Sequence, residues 1–310
     1  IPISHRIRLS VLPSSRIAII RKGFHLSKIC LTIQKSKNMA KKFKKTAIEF
    51  IEQLHHHPMR TYVSLFSSAG IGCYGFKQAG AQIVWANEID KDACKTYRHN
   101  FGGDYLVEGD IKEVDPTDIP DIDILNGGFP CQAFSVAGYR KGFDDERGNL
   151  FFEITRILEV KRPRAVLLEN VKNLEGHDKG NTFRVIKEQL ELLGYHVHHK
   201  VLNTMEYGDV PQNRERIYIV GFLSEEAYKK FRYPDPIDLT KNIHDIIDVA
   251  HKKPIGLYYE NSKYYPELKK TMTKKDTVYQ WRRVYCRENK SNVCPTLTAN
   301  MGTGGHNFPL

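Results

Sequence analysis

From Arg60 to Phe222 short apolar runs alternate with longer amphipathic stretches, and this alternation is what most limits the folds open to the chain. Brief runs rich in Val, Ile and Leu read as strands buried on both faces, and the stretches between them repeat at helical spacing. Strands are expected at Tyr62 to Phe66, Ile83 to Asn87, Ile122 to Gly127, Ala165 to Glu169, His196 to Leu202 and Ile217 to Phe222. Helices are expected at Tyr74 to Ala79, Lys91 to Asn100, Leu150 to Lys161 and Thr182 to Leu193. Strand and helix in alternation build an α/β, doubly wound and mostly parallel sheet. Beyond Phe222 Tyr, Lys, Pro and Asp become frequent and periodicity weakens, so a smaller, irregular region is expected to begin near 223. The division that follows is 1–58 as a basic, partly disordered N-terminal extension, 59–222 as the ligand-binding catalytic domain, and 223–310 as the second region.

The net charge of +11 invites a nucleic-acid partner, but its distribution matters more than its sum. Residues 1–58 carry 12 Lys and Arg against 2 acidic residues, residues 59–216 carry 20 against 24, and residues 217–310 carry 15 against 10. The α/β part is therefore slightly acidic, and the C-terminal third is the folded region suited to phosphates. Residues 1–38 contain no Asp or Glu, are rich in Arg, Lys and Ser, and precede Met39; they are read as upstream residues outside the fold, although targeting peptides share such a composition. Between Ala40 and Leu54 the spacing of Phe43, Ile48, Phe50, Ile51 and Leu54 predicts one short helix. No apolar run reaches the roughly 18 to 20 residues that cross a bilayer, so no membrane partner is expected. The six cysteines have no zinc-type spacing. No metal is expected, and a reducing cytoplasm fits.

The first strand enters Phe66-Ser67-Ser68-Ala69-Gly70-Ile71-Gly72, where small residues let a strand turn sharply beneath a ligand. Alone this is a weak signal. Glu88 ends the second strand, where a carboxylate can accept both ribose hydroxyls, and Asp110, in Gly109-Asp110-Ile111, can read an adenine amino group. The three in order favour an adenosyl ligand. The sharpest signal is Gly128-Phe129-Pro130-Cys131-Gln132-Ala133-Phe134-Ser135, which presents a cysteine at the carboxyl end of a strand.

Phe129-Pro130-Cys131-Gln132, followed by Arg147-Gly148-Asn149-Leu150, Glu169-Asn170-Val171 and Gln212-Asn213-Arg214-Glu215-Arg216, resembles the ordered motif series of the cytosine-C5 DNA methyltransferases of bacterial restriction-modification systems. The resemblance runs from about Ser64 to Leu310. It implies a Rossmann-like methyltransferase sheet with a smaller target-recognition domain, S-adenosyl-L-methionine as cofactor, double-stranded DNA as partner, and a cytoplasmic protein associated with the nucleoid through DNA. The catalytic residues it implies are Cys131, Glu169, Arg214 and Arg216. The cofactor residues are Phe66, Ser67, Gly70, Gly72, Glu88, Ile89, Asp110, Ile111, Pro130, Asn149 and Leu150.

Cytosine C5 is a weak nucleophile, so such enzymes add a thiolate to C6 and make C5 enamine-like, able to attack a sulfonium methyl. Cys131 takes that role by resemblance. Glu169 would hydrogen-bond N3 and the exocyclic amine, and Arg216, with Arg214 beside it, would bind O2 or brace Glu169. The cytosine must be flipped out of the duplex. The segment with Gly138, Gly142 and Gly148 among Arg140, Lys141 and Arg147 would be a mobile loop closing over it. From 223 to 294 Tyr258, Tyr259, Tyr264, Tyr265, Tyr279 and Trp281 interleave with basic residues, which suits either DNA contact or a small satellite core. In the glycine turn Ser68 and Ile71 stand where many relatives carry glycine. Relatives also carry a closing Gly-Asn-Ser-Val segment that residues 1–310 lack. The expectation is a DNA (cytosine-5-)-methyltransferase that works through a covalent Cys131–C6 adduct; the alternative is a truncated, inactive DNA-binding remnant or one half of an enzyme completed by a complementing C-terminal polypeptide.

Overall fold

In a computed structural model the described residues are 60–130, 150–247, 251–252, 254, 258–282, 284–289, 292–298 and 310. All of them lie in one compact unit. The basic extension, the helix expected before Leu54, Cys131, Asn149 and the glycine-bearing loop from Gly138 to Gly148 fall outside the described residues.

Seven strands form one sheet: β1 (Thr61–Leu65), β2 (Gln82–Glu88), β3 (Leu106–Glu108), β4 (Ile124–Gly127), β5 (Ala165–Val171), β6 (His196–Asn203) and β8 (Glu215–Phe222). Their order is β3-β2-β1-β4-β5-β8-β6, with β8 antiparallel to both neighbours and the other pairs parallel. The doubly wound, mostly parallel α/β sheet is thus present. Every expected strand appears within a few residues of its expected ends; the central strands β1 and β4 are largely runs of buried apolar residues, as strands covered on both faces are, whereas the edge strand β6 keeps exposed polar positions. The additional strand, β3, has three residues with only Leu106 buried, too short for any period to register.

Each strand sends alternate side chains to opposite faces. Val63, Leu65, Leu125, Leu168, Ile217 and Ile219 join Phe151, Ile154, Ile157 and Ile186 in one core, while Tyr62, Ile124, Val220 and Phe222 join Cys73, Phe76, Cys94 and Tyr97 in the other. Helix α1 (Ile71–Gln78) and helix α2 (Lys91–Phe101) supply the second core, and α3 (Leu150–Lys161) and α4 (Asn181–Leu192) the first. Helix α3 matches its expected span because Phe151, Ile154, Ile157 and Leu158 recur on one face. Helix α1 begins three residues before its expected start: Gly70, with φ of 88°, turns the chain straight into it.

A Cβ at Gly70 would lie 2.3 Å from Phe101 Cε2, and the positive φ already disfavours any L side chain. Gly70→Ala is expected to destabilise the protein by about 2 to 4 kcal/mol, read as a lowered midpoint in urea unfolding.

The chain leaves β1 toward β2 and β3 on one side and fills β4 and β5 on the other. The order therefore reverses between β1 and β4, where the diverging loops open a crevice at the carboxyl ends of the strands. Leu65 pairs with Gly127, so the turn at Phe66 and the segment Gly128-Phe129-Pro130 leave the sheet side by side.

After β8 come the short helix α5 (Glu225–Lys230), the helix α6 (Tyr265–Thr271) and an antiparallel hairpin of β9 (Tyr279–Arg282) with β10 (Tyr285–Glu288). Leu268, Tyr279, Trp281 and Cys286 form a satellite core, with Tyr259, Tyr264 and Leu310 against it. Tyr279 and Trp281 thus serve packing, whereas Tyr258 and Tyr285 remain about half exposed. Strand β11 (Cys294–Pro295) lies parallel to β7 (Gln212–Asn213), fastening that C-terminal segment to the one before β8. Among the described residues no helix is long and apolar enough to cross a membrane.

Candidate active site

The turn after β1 is held in an unusual backbone. Phe66 and Ser68, neither of them glycine, take φ of 56° and 49°. Such residues persist where surrounding bonds over-determine them, and they cluster at ligand sites. Ser67 N donates to Asn87 O at 2.9 Å, Ser67 Oγ to Ser64 O at 2.9 Å, and Gly70 N to Ser67 O at 2.9 Å. Ser68 thus adopts the left-handed conformation that glycine takes most readily. Its N–H donates to Glu88 Oε2 at 2.6 Å.

Glu88 closes β2 and is 9% exposed. Its Oε1 accepts from Ile89 N at 2.9 Å and from Asp90 N at 2.8 Å. Burial without partners would be costly for a carboxylate; three backbone donors meet that cost and fix the group at the crevice. Each carboxylate oxygen accepts two bonds, so Oε2 keeps capacity for a ligand hydroxyl. Ile89 beside it is 62% exposed, an apolar side chain left at the strand end. Asp110 caps a short turn, accepting Lys112 N at 3.0 Å. Ile111 packs into the core instead, so what it offers a ligand is main chain. Leu150 is half-buried against the same core, and Pro130 is exposed. A Cβ at Gly72 would meet Asn126 Nδ2 at 3.3 Å, so helix α1 and β4 are close there.

The second half of the site gathers at β5. Glu169 and Arg216 form an ion pair, Nε to Oε1 at 2.9 Å, with Arg216 opposite Val171 in the antiparallel register. Burial pushes the Glu169 carboxyl above its usual range, and Arg216 and Arg214 only partly offset it. Burial, then the charge of Arg214, lowers Arg216, and Glu169 opposes both. Two charges held half out of water interact strongly and respond to whatever binds beside them. A Cβ at Gly128 would sit 3.6 Å from Glu169 Oε2, so the carboxylate lies close against the backbone leading to Pro130.

Arg214 sits differently from Arg216. Its Nη1 donates to Leu297 O at 3.3 Å and its backbone N donates to Asn203 Oδ1 at 3.1 Å, while Thr296 Oγ1 donates to Asn213 O at 2.7 Å. Arg216 braces Glu169, and Arg214 ties the motif to the segment Pro295 to Leu297.

Asn170 was part of a motif in the sequence but not among the expected site residues. It is 3% exposed, and its Nδ2 donates to Phe129 O at 3.0 Å while its Oδ1 accepts Val171 N at 2.8 Å. Phe129 is anchored on Phe151, ring centroids 5.7 Å apart. The chain entering Cys131 is thus pinned two residues upstream. Asn170→Ala leaves a buried carbonyl unpaired and is expected to cost about 1 to 3 kcal/mol of stability and at least roughly tenfold in kcat, checked by thermal melts and single-turnover kinetics. Among the described cysteines, burial raises the thiols of Cys94, Cys286 and Cys294, and Cys73 is fully buried. None of the four is placed as a reactive thiolate.

The family model described as C-5 cytosine-specific DNA methylase matches residues 60–307. The type II methyltransferase M.Bsp6I of Bacillus sp. (strain RFL6) is 54% identical over 256 residues, 81% of each chain. The type II methyltransferase M.NlaX of Neisseria lactamica is 51% identical over 188 residues, 60% of this chain and 59% of that one. The crystal structure of the S. pombe Dnmt2 methyltransferase aligns with a TM-score of 0.57 at 21% identity, covering 81% of this chain and 75% of that one, a likeness of fold.

Proposed function

Because the chain belongs to the C-5 cytosine-specific DNA methylase family, we propose that it transfers a methyl group from S-adenosylmethionine to C5 of a cytosine flipped from double-stranded DNA, with Cys131 as the nucleophile. The observation that carries this reading is the convergence on one backbone segment. Asn170 holds Phe129 O at 3.0 Å, and Glu169, paired with Arg216, lies against Gly128.

The residues present fit S-adenosylmethionine. Glu88 would accept the ribose hydroxyls, Asp110 the adenine amine, and the bent turn from Phe66 to Gly72 would pass beneath the methionine portion. Ile89 supplies an apolar surface, and Asn149, Leu150 and Pro130 would complete the pocket. When bound, the cofactor supplies an electrophilic methyl on a sulfonium.

Cys131 as thiolate would form a bond to C6, moving the electron pair of the C5–C6 double bond to C5. Glu169 would hydrogen-bond N3 and the exocyclic amine, where charge builds as sulfur adds. Its raised carboxyl suits that task, since a carboxyl that holds its proton more readily can share one with N3. Arg216 would keep Glu169 oriented. C5 would then be the carbon able to accept the methyl; a base would remove the C5 proton, and the returning electron pair would expel Cys131.

Residues 59–222 would be the catalytic domain and residues 223–310 the target-recognition region, whose basic balance suits phosphate contact. Both named relatives are type II methyltransferases, which supports protection of DNA in a restriction-modification system as the cellular role. The test is transfer of labelled methyl to mixed-sequence duplex DNA, read as 5-methylcytosine by nuclease digestion and mass spectrometry. Label on cytosine C5 is expected. Label on tRNA alone, or none from a folded protein that binds the cofactor, would overturn the proposal.

A further inference from the structure

The carboxyl ends of β1, β2 and β3 are knitted together by one residue that has no role in the motif series. Asn87 is 2% exposed. Its carbonyl accepts Ser67 N at 2.9 Å, from the turn after β1. Its side-chain Nδ2 donates to Val107 O at 3.2 Å and to Gly109 O at 3.0 Å, on the chain leaving β3. Both partners are carbonyls, so only the amide nitrogen can serve them, and the orientation of the group is fixed by its neighbours. Next in sequence, Glu88 reaches Ser68 N with its side chain and accepts Gly109 N with its carbonyl at 3.0 Å.

Two carbonyls bridged by one amide set the path of Val107 to Gly109, and Asp110 is the next residue. From the other side Arg156 of helix α3 donates to Ile111 O at 2.9 Å and to Val114 O at 2.8 Å. Asp110 is thereby gripped before and after by buried or half-buried donors, while its own carboxylate stays at the surface of the crevice.

We propose that Asn87 is a positioning residue for the adenine end of the cofactor, acting through Asp110. The inference rests on the reading of Glu88 and Asp110 as cofactor ligands. Asn87 orders their two loops relative to each other before any ligand arrives, so its loss falls on binding rather than on the chemistry at C5.

The test is calorimetric titration of the whole protein with S-adenosylhomocysteine and with its inosine counterpart, which lacks the exocyclic amine that Asp110 would read. Wild type is expected to prefer the adenine ligand. Asn87→Ala is expected to weaken it by roughly 10- to 100-fold, the scale of two lost hydrogen bonds, while binding of the inosine ligand changes by less than about threefold. Asn87→Asp, which sets a carboxylate against two carbonyls, is expected to bind the adenine ligand more weakly than Asn87→Ala. Methylation should show a raised KM for S-adenosylmethionine with kcat within about threefold at saturation.

The preference for the adenine over the inosine ligand is a ratio within one protein, so general loss of stability cancels from it. Arg156→Ala, which releases the opposite side of the same turn, provides a second variant with the same expected loss of preference. Equal weakening of both ligands, or an Asn87→Asp protein that binds like wild type, overturns the inference alone. A folded wild type that binds neither ligand overturns the cofactor reading and the inference with it.

Discussion

Cys131→Ala is expected to lose methyl transfer by at least roughly 10³-fold, on the scale of removing a nucleophile elsewhere, while binding of S-adenosylhomocysteine and of duplex DNA persists. The chemistry demands this size of effect: without a bond to C6, cytosine C5 has no electron pair to offer the sulfonium. Cys131→Ser should lose nearly as much, since a hydroxyl is far less ionised than a thiol at neutral pH. A neutral result would move the nucleophile elsewhere, yet Cys73 is fully buried and burial disfavours thiolates at Cys94, Cys286 and Cys294. Gel-shift affinity measured beside activity separates lost chemistry from lost folding.

Glu169→Gln is expected to lower kcat by about 10²- to 10³-fold with a small change in the KM for DNA, because the stabilising contact strengthens as charge develops on the ring. Stability should move differently. The folded carboxyl lies above its usual value of 4.5, with burial the main cause and Arg216 and Arg214 pulling the other way. A group whose pKa is raised by folding holds its proton more tightly in the folded state. Its stabilising contribution is therefore present below 4.5 and lost as pH rises through the higher folded value. The melting temperature of Glu169→Gln relative to wild type should accordingly rise across the interval just above 4.5 and level off once wild-type Glu169 is ionised. A relative melting temperature that falls with pH would mean that the ion pair with Arg216 outweighs desolvation, reversing the electrostatics described for the site.

The parts of the molecule legible in the sequence are those whose physics is local or periodic. Strands such as Ala165–Val171 must be apolar because helices cover both sides, and helix α3 repeats its buried residues at regular spacing. Glu88 could be placed at the end of a strand by counting from the turn. Asn87 and Asn170 could not be found that way: each is a buried amide whose value depends on carbonyls from 20 to 41 residues away. Local pattern carries no trace of such partners. Strand β3 escaped because pairing with β2, not composition, makes it a strand. The aromatics after 223 were ambiguous for a related reason. A tyrosine or tryptophan serves a core or a surface equally well, and only packing on Leu268 and Cys286 decides for Tyr279 and Trp281. Arg214 and Arg216, two residues apart on one motif, looked alike and take separate tasks, set by the ion pair on one and the docked segment near Leu297 on the other.

The most direct measurement is trapping with duplex DNA that carries 5-fluorocytosine in place of cytosine. Fluorine at C5 cannot leave as a cation, so once sulfur has added to C6 and the methyl has arrived, the last elimination is blocked. Incubation with S-adenosylmethionine should yield a denaturation-resistant protein–DNA adduct carrying one methyl group, and peptide mapping should place the bond at Cys131. An adduct at any other residue, or efficient methylation of normal DNA with no adduct on the fluorinated duplex, would contradict a covalent mechanism through Cys131.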